Sequence, residues 1–156
     1  MSLVKVKEYF KKYNMEDKIM EFATSSATVT LASDAIGCTP DEIAKSLAFT
    51  VGDTYVIIVM AGNSRIDNAK YRKEFNTKAK MINKEELDKL IGHEVGGICP
   101  FAIHDNVLVY LDNSLKRFKY IYPACGSSNS AIKLSILELE KYSNYVKWID
   151  VCKEVK

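Results

Sequence analysis

Two apolar runs joined by a two-residue turn constrain this chain most. Leu47-Ala48-Phe49-Thr50-Val51 and the very apolar stretch from Thr54 to Met60 are separated only by Gly52-Asp53. β-Branched and aromatic side chains favour a pleated backbone, and Gly and Asp accept the dihedrals of a tight turn. A β-hairpin is therefore predicted here. The remaining segments must pack around it. With 156 residues the chain suits one domain with one core, expected over 1–156.

Local signals set the expected neighbours. Residues 3–23 carry apolar side chains at helical spacing, broken at Asn14, which can cap a second short helix. Residues 1–25 are read as an N-terminal helical extension. Ser26 is read as the cap of a helix through Val29, Leu31, Ala32 and Ala35 that Gly37 ends. Thr39-Pro40-Asp41-Glu42 forms a capping box before a short helix at Ile43-Ala44-Lys45-Ser46. Asp67 caps a helix carrying Ala69, Tyr71 and Phe75. Ala79 to Ile82 reads as a strand. Asn83 to Glu86 reads as another capping box, before a buried stripe of Leu87, Leu90 and Ile91. Val107 to Leu111, Tyr120 to Tyr122 and Ala131 to Leu134 read as strands. Asn113 to Phe118 reads as a helical turn, Leu137 to Tyr142 as a helix, and Val146 to Val151 as an edge segment. Strands and helices alternate without a strict β-α-β repeat. That predicts a mixed α/β (α+β) fold with a partly antiparallel sheet.

Composition and motifs exclude several classes. Twenty-two Lys and Arg against 20 Asp and Glu leave a net charge of +2, without the strong basic excess of a dedicated nucleic-acid binder. A basic face remains compatible with that balance. No run approaches the ~18 apolar residues of a membrane span. Met1-Ser2-Leu3-Val4-Lys5 lacks the apolar core of a signal peptide, so a cytoplasmic location and no membrane partner are expected. Cys38, Cys99, Cys125 and Cys152 are scattered and read as reduced thiols. His93 and His104 are the only histidines and no acidic cluster accompanies them, which argues against a metal centre; no cofactor is expected. The G-x-S-x-G elbow, the phosphate loop and G-x-G-x-x-G are all missing. A hydrolase built on this chain must use a lysine, backbone N–H groups and a positioned water.

Three stretches fit that need. In Ile43-Ala44-Lys45-Ser46-Leu47-Ala48-Phe49, Lys45 can sit partly desolvated at a pocket edge. Taken alone, it is an ordinary solvated lysine on a helix, since lysine is rarely buried. In Val95-Gly96-Gly97-Ile98-Cys99-Pro100-Phe101, paired glycines let the backbone approach a ligand and aim N–H groups at developing charge. Alone, this is a connecting loop with turn glycines. Pro123-Ala124-Cys125-Gly126-Ser127-Ser128-Asn129-Ser130 can donate hydrogen bonds from a glycine turn, or simply be a hairpin loop. No histidine stands beside Cys99 or Cys125 in sequence, so a thiol nucleophile would need a partner supplied by the fold.

Taken together and in order, these stretches resemble the YbaK/prolyl-tRNA-editing domain family. The likeness runs from about Ser26 to about Tyr142. It includes I-A-K-S-L-A-F at 43–49, Met60-Ala61-Gly62, Arg65-Ile66-Asp67, G-H-E-V-G-G-I-C-P-F at 92–101, Val109-Tyr110-Leu111-Asp112 and Y-P-A-C-G-S-S-N-S-A-I-K-L at 122–134. Cys99 stands where many members carry serine, and Cys125 where a small residue is common.

The resemblance implies a curved, largely antiparallel sheet with surrounding helices. It also implies a trans-acting aminoacyl-tRNA deacylase that hydrolyses the ester of mischarged tRNA, alanyl- or cysteinyl-tRNA for proline, in the cytoplasm. The family's lysine falls on Lys45, implied as catalytic. Its substrate-binding loops fall on Gly96, Gly97, Ile98 and Pro100, and on Gly126 and Ser127. The implied partners are the 3′ aminoacyl end of a mischarged tRNA and, in some settings, an aminoacyl-tRNA synthetase. Two rivals remain: a non-catalytic tRNA- or synthetase-binding module of the same fold, and a hydrolase of small esters. Lys70, Arg72, Lys73, Lys78 and Lys80 are the basic residues placed to meet a tRNA backbone, or to form a solvated helix face.

Overall fold

The computed structural model describes residues 2–154. Helix α1 (Ser2–Lys11) buries Val6 and Phe10, which lie four apart on one face. The expected second helix does not form. Asn14 takes a left-handed φ of 58°, Glu16–Lys18 makes one 3-10 turn, and Ile19–Glu21 becomes strand β1. A segment this short cannot meet the cost of helix nucleation, whereas ladder bonds to another strand are available at once. Thr28, not Ser26, caps α2 (Val29–Ile36): the Thr28 hydroxyl accepts from Leu31 N, while the Ser26 hydroxyl donates to Ser128 O. Gly37, left-handed at φ 84°, ends α2 as the sequence predicts.

The capping box of Thr39 and Glu42 forms, but over a single 3-10 turn, Pro40–Glu42. The chain enters strand β2 (Ile43–Val51) directly, so Lys45 stands on a strand and not on a helix. The hairpin register decides this. Strand β3 (Thr54–Ala61) pairs with β2 from Val51↔Thr54 down to Ala44↔Ala61, drawing 43–46 into the ladder. β4 (Ser64–Ile66) follows, then α3 (Asn68–Phe75), whose amides at Ala69 and Lys70 are capped by Asp67. The strand expected at 79–82 reduces to one bridge, Phe49↔Met81, flanked by the bonds Thr50 N to Lys80 O and Ile82 N to Ala48 O. Asn83 makes no capping bond. A 3-10 turn at Lys84–Glu86 leads into the one-turn helix α4 (Leu87–Leu90), with Leu87 and Ile91 buried.

The C-terminal half supplies β5 (Val107–Asp112), a 3-10 turn at Asn113–Arg117, and β6 (Tyr120–Pro123). The single strand expected at 131–134 is two, β7 (Ser130–Ile132) and β8 (Leu134–Ser135), because β7 pairs with β1 and β8 with β6. Helix α5 (Ile136–Ser143) carries a capping box of Ser135 and Glu138; β9 (Lys147–Ile149) and β10 (Cys152–Glu154) close the described chain.

The main sheet runs β8-β6-β2-β3-β5-β9, with β10-β4 and β1-β7 as two-stranded additions. The fold is a mixed α/β domain with a curved, largely antiparallel sheet. Among the described residues four of the seven ladders are antiparallel; β2–β6, β3–β5 and β5–β9 are parallel. β3 is buried on both faces. Ile57 and Val59 face the larger core with Phe10 and Phe101, and Ile58 and Met60 face a smaller core with Phe49 and Tyr71 beneath α3. Each such side chain taken fully from water contributes about 1.5–3 kcal/mol, which fixes the sheet on which the site is built. Among the described residues no helix is long and apolar enough to cross a membrane.

Candidate functional site

A cleft of about 360 Å³ opens where the edge of β2 stops being paired. One wall is the start of α2, including Thr28, Val29 and Ala32. The floor is residues 43–48 of β2. The loops at 95–98 and 124–131, with Met81 and Ile82, complete it. The lining is mostly apolar, and its cations are Lys45 and Lys84. Such a cleft favours a small ligand with an apolar side chain and a few fixed polar contacts.

The fold brings Lys45, Gly96 and Ile98 to this cleft; Gly97, Pro100, Gly126 and Ser127 lie behind it. The Lys45 ammonium donates to Ser64 O at 2.6 Å, at the start of β4. Burial lowers its pKa, and nearby Arg65 acts in the same direction. Leu47 and Phe49, which alternate with Lys45 on the strand, belong to the smaller core. Lys45 thus borders the cleft while its ammonium is held on the α3 side of the sheet.

Gly97 is a glycine for a packing reason. A Cβ there would lie 2.6 Å from Gly126 C and 2.6 Å from Ser127 N, so the two glycine loops touch backbone to backbone. Its N–H is also spent, donating to Glu94 O at 3.1 Å. No backbone carbonyl among the described residues accepts from Ile98 N–H, which leaves Ile98 as the loop's available donor. Gly96, at φ +88°, turns the chain at the cleft wall. Pro100 is buried. Gly126 packs under α1, where a Cβ would meet the Ser2 carbonyl at 2.8 Å. The Ser127 hydroxyl bonds within its own loop, to Asn129 Oδ1 at 2.9 Å and Ser130 Oγ at 2.7 Å.

The fold does supply a histidine to Cys99: His93 Nε2 lies 3.4 Å from its sulfur, and both side chains are fully buried. The pair is nevertheless not a nucleophile and base. His93 Nε2 is 2.7 Å from Phe101 O, so this nitrogen carries the proton and donates; the lone pair sits on Nδ1, which has no partner. Burial pushes the Cys99 thiol up to about 12 and raises Cys125 well above the ordinary thiol range. A thiol held that high is not nucleophilic at neutral pH. Ellman's reagent should therefore report no fast reaction at Cys99 or Cys125 in the native protein and all four thiols after denaturation. Rapid labelling of Cys99 in the folded state would overturn this reading.

The same burial lowers the His93 pKa. Unfolded, the imidazole titrates near about 6.5. Above that pH neither state binds the proton. Below it the unfolded state binds first and is favoured, so stability falls as pH drops, by up to about 1.4 kcal/mol per unit. Urea unfolding at pH 7.5, 6.5 and 5.5 should show this loss, and His93→Gln should flatten it.

Sequence reading missed Ser46, which lines the cleft with an unpartnered buried hydroxyl, as well as Thr28, Met81 and Lys84. A strand reading of 43–46 would have found Ser46, since alternation places it on the opposite face from Lys45.

A family model described as the aminoacyl-tRNA editing domain matches residues 24–142. The uncharacterised protein YwhH of Bacillus subtilis (strain 168) is 49% identical over 155 residues, 99% of each chain. The proline--tRNA ligase of Shouchella clausii (strain KSM-K16) is 30% identical over 104 residues, 66% of this chain but 18% of the ligase. A solved structure presented as a candidate trans-editing enzyme for prolyl tRNA synthetase superposes with a TM-score of 0.87 at 22% identity, covering 97% of both chains. The hypothetical protein APE2540 superposes at 0.84 with 24% identity, over 96% of this chain and 99% of that one. At these identities the two structures share the fold.

Proposed function

This chain belongs to the aminoacyl-tRNA editing domain family, and on that premise we propose that it acts in trans to hydrolyse the ester of a mischarged tRNA. Water adds to the ester carbonyl, the bond to the terminal ribose oxygen breaks, and the products are a free amino acid and an uncharged tRNA. The observation that carries the reading is the cleft itself. It joins a small apolar chamber, a partly desolvated lysine at its border and a backbone donor at Ile98. Donors preorganised in a site of low polarity stabilise the oxyanion far better than they would in water.

The amino acid removed is alanine or cysteine, and the tRNA is that for proline. A chamber walled by Val29, Ala32, Ile43 and Ile98 suits a short, apolar side chain. Editing is needed because one methylene separates substrates in a synthetase pocket by only about 1–3 kcal/mol. The likeness to proline--tRNA ligases supports the choice of tRNA. The test is release of alanine, cysteine, serine and proline from tRNA for proline. Rapid release of alanine or cysteine with prolyl-tRNA spared is expected; release of none would sink the proposal.

Exposed lysines border the cleft mouth. Lys78, Lys80 and Lys84 lie on the segment that carries Met81 and Ile82, and none of the three is in an ion pair among the described residues. Lys70 is engaged instead, by Asp150 and the Cys152 carbonyl. If the lysines meet phosphates, KM should rise steeply with salt, by about 0.7–0.9 log units per log unit of salt for each contact. Replacing all three by Ala should flatten that slope. A salt-independent KM would favour a small-ester substrate.

A further inference from the structure

The β2 edge changes partners around Ser46. On the N-terminal side, the parallel ladder with β6 ends at Ala44↔Pro123. On the C-terminal side, the 80–82 segment takes over, with Ala48 O accepting from Ile82 N and Thr50 N donating to Lys80 O. Along an antiparallel strand the N–H and C=O of one residue point to the same side, and alternate residues point to opposite sides. Ala48 and Thr50 point away from β3, so Ser46, of the same parity, does too. Its N–H and C=O fall in the gap between the two pairing segments, where Ser46 lines the cleft. Its hydroxyl is also buried without a partner. Three polar groups of one residue are thus left unpaired in an otherwise apolar chamber. Buried polar groups ordinarily find partners, so this gap is built for something that supplies them.

We propose that this gap binds the main chain of the substrate's aminoacyl group, as a one-residue strand added to the edge of β2. An aminoacyl ester carries an α-ammonium and a carbonyl in the same relation as the N–H and C=O of a peptide residue. It can therefore exchange two bonds with Ser46 as a strand residue does: ammonium to the Ser46 C=O, and Ser46 N–H to the ester carbonyl. The Ser46 hydroxyl accepts a second ammonium proton. The arrangement selects a free α-amino group whatever the side chain, and leaves side-chain choice to the apolar wall. It also adds a donor on the carbonyl that water attacks. The inference rests on the deacylase reading for its substrate, but its test does not need turnover.

The probes are two hydrolysis-resistant adenosine amides, 3′-alanylamino-3′-deoxyadenosine and its lactyl counterpart, which has a hydroxyl in place of the amine. The measurements are Kd and the backbone amide spectrum of the ¹⁵N-labelled protein. The alanyl amide should bind at least about tenfold more tightly, since a charge-assisted hydrogen bond is at stake, and should move the Ser46 amide signal. Ser46→Ala should remove most of that preference while weakening the lactyl amide little. A hydroxyl with a merely structural role would weaken both ligands equally, and that result would overturn the proposal. So would equal binding of the two amides by the wild type, an unmoved Ser46 amide, or no binding of either. Failure of the deacylase reading shows separately, as no release from any charged tRNA.

Discussion

Lys45→Ala should lower kcat/KM for the mischarged tRNA by about 100-fold or more, the usual cost of deleting one placed electrostatic donor. The ammonium uses one proton on Ser64 O and keeps two for a substrate at the cleft border. Its partial burial leaves little water to screen it, which strengthens whatever it touches. Lys45→Met retains the stem between β2 and the smaller core and isolates the charge. Single-turnover deacylation of both variants, beside their thermal unfolding, separates three outcomes. A loss in the chemical step at unchanged Tm places the ammonium on the reacting ester. A rise in KM alone places it on a tRNA phosphate. A fall in Tm with activity kept makes it a tie between β2 and β4.

Gly97→Ala should destabilise the protein by about 2–3 kcal/mol, as overpacking against unyielding neighbours does. For a chain of this size that lowers Tm by about 4–12 °C. The added methyl meets two backbone atoms of the opposing loop at 2.6 Å each, and backbone cannot rotate away. Deacylation should fall as well, because Gly96 and Ile98 on either side line the cleft. Ser127→Ala is the contrast. It removes only a loop-internal hydrogen bond, worth about 0.5–1.5 kcal/mol, from a residue outside the cleft. A Gly97→Ala protein with wild-type Tm and no activity would return Gly97 to a direct role at the ligand.

Sequence determined the features whose physics is local. The hairpin is written in its two runs and the Gly52-Asp53 turn. The stop at Gly37, the box at Thr39 and Glu42, and the Asp67 cap each depend on groups at most four residues apart. Their signals survive being read in isolation. The order of motifs also pointed to the editing family, and the structure gathers Lys45, Gly96 and Ile98 from that reading at one cleft.

Tertiary structure decided everything that depends on which segments meet. Lys45 sits on a strand because the β3 register reaches Ala44, overriding the local helix signal. Ile19 to Glu21 are extended because β7 arrives to pair with them. Gly97 and Gly126 look like ligand loops in sequence, yet each is small because another stretch of backbone lies against it. His93 reaches Cys99 only through a loop closure, and only the Phe101 carbonyl reveals that the ring offers a proton to the sulfur's side and not a base. Ser46 carries no motif at all. Its importance comes from two partners that each stop short of it, leaving main-chain groups unpaired, and a gap between partners exists only once the chain has folded.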